Sequence, residues 1–138
     1  MIALTAVTSE VLSLDAHVAA VAGPRAGAIA TFIGTVRDHD PSVDGEVVGL
    51  DYSAHPSATE VLGALAARHD AADLVIAVTH RIGSLSVGEA AIVAAVSAPH
   101  RREALDTVSA LVETVKAELP VWKRELLADG SHTWVGLS

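Results

Sequence analysis

Apolar and polar residues alternate along some stretches of the chain and recur at helical spacing along others, which predicts a fold of strands and helices. Short apolar runs rich in small and β-branched residues are typical of strands. The run at residues 74–80 is apolar almost throughout, so we expect it in the middle of a sheet. The predicted strands are residues 2–7, 26–36, 46–53, 74–80, 91–97, 121–127 and 133–135.

Three stretches have the apolar spacing of helices. They are residues 15–22, residues 56–69, and a long helix that starts at Ser97 or Pro99 and runs to Glu118. Residues 57–60 have the pattern of a capping box at the start of the second helix. The long helix must stop near its end because Pro120 cannot continue it. Its apolar stripe is formed by Leu105, Val108, Leu111, Val112, Val115 and Leu119.

The order of these elements predicts an α+β fold, with helices packed on a mixed sheet. Gly34, inside the second strand, suggests a bulge or a close approach of another backbone. Residues 40–45 have the composition of a loop, and residues 83–88 that of a turn. Asp129-Gly130 predicts a hairpin turn near the end of the chain.

The length of 138 residues predicts one domain, residues 1–138. The apolar runs are too short or too interrupted to cross a membrane, and the start of the chain does not read as a signal peptide. Cysteine is absent, which excludes disulfides, thiolate metal sites and a cysteine nucleophile. We therefore expect a cytoplasmic protein.

The net charge of −8 argues against a general nucleic-acid-binding protein, which needs a basic face. The few cations are nevertheless clustered in the sequence motifs discussed below. If the fold brings them together, an acidic protein carries one cationic pocket suited to a small anion such as phosphate. The clustered cations are Arg37, Arg101, Arg102, Lys116, Lys123 and Arg124.

Lys116 and Lys123 are the only lysines in the chain. Lys116 should lie near the end of the long helix, on the shoulder of its apolar stripe, and Lys123 on the strand that follows Pro120. Two amines on different elements can converge on one point, where a crowded or desolvated lysine loses its proton easily. The alternative is two solvated lysines that serve only solubility.

Three further residues are candidates for binding an anion. Arg37 ends the buried second strand and offers forked donors, although a salt bridge with Asp38 or a neighbouring acid would equally explain it. His100 and Arg101 precede the first turn of the long helix, where free backbone donors favour an anion. We expect no metal, because Asp38, His39 and Asp40 are adjacent and cannot all point at one ion. His80 has no evident function in the sequence, and we expect a structural role.

Several motifs occur in the order found in one enzyme family: residues 32–39, 80–83, 88–89, 97–101 and 116–125. Through them the chain resembles the catalytic (large) subunit of molybdopterin synthase, from about Ile2 to Trp134. The resemblance implies an α/β-hammerhead fold with an additional small antiparallel sheet. It also implies a sulfurtransferase, without a cofactor of its own, that converts cyclic pyranopterin monophosphate to the molybdopterin dithiolene.

In this family the sulfur arrives as a thiocarboxylate on the C-terminal Gly-Gly tail of a small ubiquitin-like subunit. The resemblance implies a homodimer that binds two such subunits to form a heterotetramer. It makes Lys116 and Lys123 the catalytic residues, and makes Arg37, His100 and Arg101 substrate-binding residues together with the two lysines. We expect all five to converge, and the tail to lie in a groove near Pro120 and Trp122.

Two other functions agree with the same residues. The chain could be a non-catalytic subunit whose lysines pair with the carboxylate of a bound tail. It could also be an enzyme whose lysine forms a Schiff base with a phosphorylated carbonyl compound.

Overall fold

The structure is a computed structural model that describes residues 1–137. Eight strands and three helices follow one another along the chain. They are β1 (Ile2–Thr8), α1 (Leu14–Val21), β2 (Ala28–Thr35), β3 (Val47–Ala54), α2 (Ala58–Ala67), β4 (Val75–Arg81), β5 (Gly83–Ser86), β6 (Ala90–Ala98), α3 (Arg101–Glu118), β7 (Val121–Leu127) and β8 (His132–Leu137).

The larger part of the core is built on a four-stranded mixed sheet in the order β1-β4-β6-β2. β1 and β4 are parallel, and the other pairs are antiparallel. Helices α2 and α3 bury their apolar stripes against one face, where Leu62, Leu111 and Val115 meet Ile76 and Ile92. Helix α1 covers the opposite face. The prediction that residues 74–80 form a strand in the middle of a sheet is confirmed, and the strand predicted at residues 91–97 is β6, which is also buried.

A second, antiparallel sheet has the order β5-β3-β7-β8. Its apolar residues, among them Leu50, Tyr52 and Leu85, form a separate core with Val36 and Ala91 from the end of the mixed sheet. This arrangement confirms the predicted α+β class and the additional antiparallel sheet. The structure contains one strand more than predicted. The additional strand, β5, is only four residues long and lies where the composition predicts a turn.

The long helix α3 ends where the sequence predicts. Glu118 is its last residue, and Leu119 is extended with φ −68° and ψ 125° because Pro120 follows it. The helix begins later than predicted, at Arg101, so that Pro99 and His100 belong to the preceding turn. Arg101 therefore lies in the first turn and is exposed, although its spacing places it on the apolar stripe.

Two local predictions have different outcomes. The irregularity predicted at Gly34 is confirmed, since the register of β2 against β6 shifts there and a Cβ at this position would lie 2.7 Å from the Ile92 side chain. The capping box at Ser57 is wrong: Ser57 makes no cap hydrogen bond, and its hydroxyl pairs with His55 Nδ1 at 2.7 Å. No helix within residues 1–137 is long and apolar enough to cross a membrane.

Candidate active site

The two sheets meet at a cavity of about 190 Å³ that contains three of the five predicted site residues. Arg37, Lys116 and Lys123 all line it. They come from three elements: the segment after β2, the last turn of α3, and β7. The sequence places these residues far apart, and only the packing of α3 and β7 at the end of β2 brings them together.

The position of Arg37 depends on a tie between β2 and the turn before β6. The backbone N–H of Val36 donates to the carbonyl of Glu89 at 3.0 Å, and the N–H of Gly88 donates to the carbonyl of Val36 at 2.7 Å. These bonds hold the residue before Arg37 at the mouth of the cavity. Arg37 forms no ion pair within residues 1–137, whereas Asp38 pairs with His39 at 3.3 Å, so the predicted alternative of an Arg37–Asp38 salt bridge is wrong.

Lys123 enters the cavity because of the alternation of β7. Lys123 lies opposite Tyr52 of β3, and Glu125 lies opposite Leu50. Residues two apart on a strand share a face, so all four side chains point toward the cavity. Trp122 is on the other face and is 38% exposed. It does not line the cavity, so the tail groove expected near Pro120 and Trp122, which stays a prediction, would lie outside it.

Lys116 is half-buried at the base of the cavity, and its environment favours the neutral amine. Burial lowers the pKa of Lys116, and the positive charge of Lys123 lowers it further. Within residues 1–137 no carboxylate forms a salt bridge with either lysine to oppose this effect. A lysine in such surroundings can act as a nucleophile or exchange a proton, which a solvated lysine on a helix end does less readily.

Glu125 is a candidate functional residue that we did not single out in the sequence. It is 1% exposed, and neither of its carboxylate oxygens has a hydrogen-bond partner among the described residues. Burial raises the pKa of Glu125 to about 7, and the nearby Asp40 carboxyl adds to the effect, whereas Lys123 and Arg37 oppose it. The pKa of Asp40 is lowered, first by Glu125 and then by Ser42. The alternation of β7, which puts residues 123 and 125 on one face, was the available signal.

His100 and Arg101 do not join this cavity within one chain. They line a different concavity at the first turn of α3, together with Arg102 and Asp106. Arg101 and Lys116 are fifteen positions apart on α3, about 22 Å at 1.5 Å per residue. The expectation that all five residues converge is therefore wrong for the single chain, because α3 and β2 run the full length of the domain between the two groups.

Both tryptophans and Arg124 lie outside the cavity. Trp134 is 59% exposed and Trp122 is also exposed, so neither is a core residue. Arg124 packs against the Trp134 ring at 5.6 Å and pairs with Asp51 on the outer face of the antiparallel sheet. No group of three or more histidine, aspartate or glutamate side chains in the described part of the chain is placed to hold a metal ion.

Comparison with known proteins assigns the chain to a family. The family model "MoaE protein" matches residues 7–118. This chain belongs to the MoaE family. It is 42% identical to "Molybdopterin synthase catalytic subunit 1" of Mycobacterium tuberculosis, over 94% of this chain and 88% of that protein. It is 43% identical to the molybdopterin synthase catalytic subunit of Bacillus subtilis, over 80% of this chain and 71% of that one.

Solved structures of the MoaE family share the fold. The crystal structure of molybdopterin synthase from Staphylococcus aureus matches with a TM-score of 0.86 and 26% identity, over 94% of this chain and 95% of that chain. The resemblance inferred from the sequence motifs is thereby confirmed.

Proposed function

We propose that this chain is the catalytic subunit of a molybdopterin synthase, a sulfurtransferase of molybdenum cofactor biosynthesis. Its MoaE relatives bear that name at 42% and 43% identity. The observation that carries the proposal is the meeting of both lysines of the chain with Arg37 in one cavity. The substrate is cyclic pyranopterin monophosphate, and the sulfur comes from the thiocarboxylate tail of a small ubiquitin-like subunit.

The cavity suits the end of an extended tail. Its volume of about 190 Å³ is below the range of about 300–1,000 Å³ that encloses a drug-sized ligand, so it admits a Gly-Gly terminus more readily than a whole pterin. Lys123 and Arg37 supply positive charge for the thiocarboxylate and for the phosphate of the substrate. The tail and the substrate would each be held through the negative charge that faces these two cations.

The chemistry requires an amine and a group that moves protons. The lowered pKa of Lys116 makes its neutral amine available to hydrogen-bond the thiocarboxylate carbonyl, or to attack its carbon so that the C–S bond breaks and the sulfur leaves as sulfide toward the substrate. Glu125, with a pKa of about 7, can take up or return a proton near neutral pH. We therefore assign the amine chemistry to Lys116 and the stabilisation of developing charge to Lys123.

A second copy of the chain is the proposed source of His100 and Arg101. β2 is an edge strand of the mixed sheet, and it exposes Ile29, Phe32 and Ile33. An exposed apolar edge favours pairing with another chain. In a two-fold dimer formed along β2, each strand runs antiparallel to its copy, so the start of one β2 lies beside the end of the other.

This pairing would place the helix start of one copy near the cavity of the other. At the start of β2, Ala28 pairs with Ala98, which comes just before His100 in the chain. At the end of β2, Thr35 pairs with Ala90 and comes just before Arg37 in the chain. The two ends of β2 are about 24 Å apart in one chain. They would lie next to each other across the proposed two-fold axis. His100 and Arg101 of a second copy would then complete a phosphate site at the mouth of the cavity. We propose that residues 1–138 act as one domain in this assembly, and that the assembly is located in the cytoplasm.

The test is incubation of the chain with a thiocarboxylated small subunit and cyclic pyranopterin monophosphate, followed by detection of the dithiolene. Formation of the dithiolene at a rate that depends on the thiocarboxylate supports the proposal. Tight binding of the small subunit without turnover would instead favour a tail-binding subunit. Borohydride trapping of a phosphorylated carbonyl compound on a lysine would favour a Schiff-base enzyme.

A further inference from the structure

His80 lies in the core directly behind the candidate active site. It is near the end of β4, opposite Ile92 of β6, and is 1% exposed. The alternation of β4 puts it on the same face as Ile76 and Val78, which pack under α3. The last turn of that helix carries Lys116. His80 therefore occupies the junction between the mixed sheet and the end of α3 that holds the catalytic amine.

The hydrogen bonds of His80 determine which ring nitrogen carries the hydrogen. Nδ1 lies 2.8 Å from the carbonyl oxygen of Arg81, and a carbonyl can only accept, so Nδ1 is the donor. In the neutral ring, Nε2 is then an acceptor. This atom is buried and has no hydrogen-bond partner within residues 1–137. A buried acceptor without a partner is rare, and it indicates that a hydrogen-bond donor is bound there when the site is complete.

The surroundings of the ring connect it to the cavity. Tyr52, which lines the cavity, contacts His80 edge-on with 5.0 Å between the ring centres. Burial lowers the pKa of His80 to about 4; the Arg81 carbonyl opposes this shift, and the charge of Lys116 adds to it. His80 is thus neutral at physiological pH. The other charged or titratable side chains at the cavity are Arg37, His39, Asp40, Lys123 and Glu125.

We propose that His80 is a positioning residue for Lys116, whose amine donates a hydrogen to one water molecule that in turn donates to Nε2 of the imidazole. The neutral acceptor holds the amine toward the cavity. A carboxylate in the same place would fix Lys116 as an ammonium ion, because an adjacent negative charge favours the protonated form. The imidazole orients the amine without that cost. The catalytic meaning of this contact rests on the proposed function, but the contact itself can be measured without turnover.

Two substitutions separate the two nitrogens of His80. His80→Asn keeps a donor at the position of Nδ1, for the Arg81 carbonyl, and removes the acceptor at Nε2. His80→Gln places an amide oxygen near the position of Nε2 and removes the donor. A purely structural role, which depends on the bond to Arg81, predicts that His80→Gln is the more harmful change. The positioning role predicts that His80→Asn is the more harmful one.

The readout is NMR of the protein labelled with ¹³C-lysine, which gives two side-chain signals because Lys116 and Lys123 are the only lysines. An acceptor stabilises the ammonium form, so we expect His80→Asn to lower the pKa of Lys116 by about one unit, with a smaller change at Lys123. His80→Gln should leave it nearly unchanged. In the dithiolene assay, kcat of His80→Asn should fall about tenfold at unchanged KM for the small subunit, because only the orientation of the amine is lost.

Identical titration of Lys116 in the wild type and in His80→Asn would overturn the proposal, and so would a larger effect of His80→Gln. If neither variant folds, the ¹⁵N shifts of His80 in the wild type decide: the proposal requires the hydrogen on Nδ1 and an accepted hydrogen bond at Nε2. A hydrogen on Nε2 would refute it. A wild-type chain that makes no dithiolene would refute the proposed function while leaving these NMR results to decide on His80.

Discussion

Complementation between two variants of low activity tests the proposed dimeric site. The two groups of candidate anion-binding residues are about 22 Å apart along α3 in one chain, too far to hold one small substrate. In the proposed two-fold dimer, Arg37 of one copy and Arg101 of the other would serve the same site. Removal of either arginine takes away a charged hydrogen bond worth about 1.5–3 kcal/mol, so Arg37→Ala and Arg101→Ala should each lower kcat/KM about tenfold to a hundredfold.

The mixed dimer distinguishes the two geometries. With one copy carrying Arg37→Ala and the other Arg101→Ala, one site has lost both arginines and the other is intact. Isolated mixed dimers, purified through two different affinity tags, should therefore recover about half of the wild-type activity. If both arginines of a site came from the same chain, each site would carry one substitution, and no activity would return. Arg25→Ala, at an exposed arginine outside both groups, is the control and should be fully active.

If a mixed sample that light scattering shows to be dimeric recovers no activity, the proposal of a site shared between two copies is refuted. A strictly monomeric chain with full activity would refute it as well. Recovery of half of the activity shows that the site is shared between two copies. A second experiment is needed to show that the copies pair along β2, namely that substitution of the apolar residues of β2 weakens the dimer. Phe32→Glu, which places a charge on the exposed edge, should dissociate it.

Three further predictions follow from individual residues. Lys116→Arg and Lys123→Arg each keep the positive charge but remove an amine that can deprotonate. Lys116→Arg should lose most dithiolene formation, and both variants should still bind the small subunit in calorimetry. Near-normal turnover of Lys116→Arg would exclude amine chemistry. Glu125→Gln should raise Tm more at pH 8 than at pH 5. The pKa of Glu125 rises from 4.5 to about 7 on folding, so the charged carboxylate lowers the stability of the folded state as the pH increases. Equal changes in Tm at both pH values would contradict this. Gly27→Ala should destabilise the fold by about 1–3 kcal/mol in urea unfolding, because its Cβ would lie 2.1 Å from a backbone carbonyl oxygen, whereas Gly23→Ala, with nothing within 4 Å, should not.

The sequence by itself determined the elements and the family. Hydrophobic periodicity placed every helix and all strands except β5, because burial on one face is recorded locally at every second or every third to fourth residue. Pro120 located the end of α3 for the same reason, since its effect on backbone geometry is local. β5 was missed because four residues, two of them serine and one glycine, carry too little periodicity to separate a strand from a turn.

Only the tertiary structure decided which residues share a site. Arg37, Lys116 and Lys123 meet because α3 runs in the same direction as β2, so that their ends lie together, and because β7 pairs with β3. These contacts join residues far apart in sequence. His100 and Arg101 belong to the same motif set, yet the length of α3 carries them to the opposite end of the domain. Glu125 and His80 gained their importance from burial without a hydrogen-bond partner, a property of three-dimensional packing that no single residue type or spacing in the sequence records.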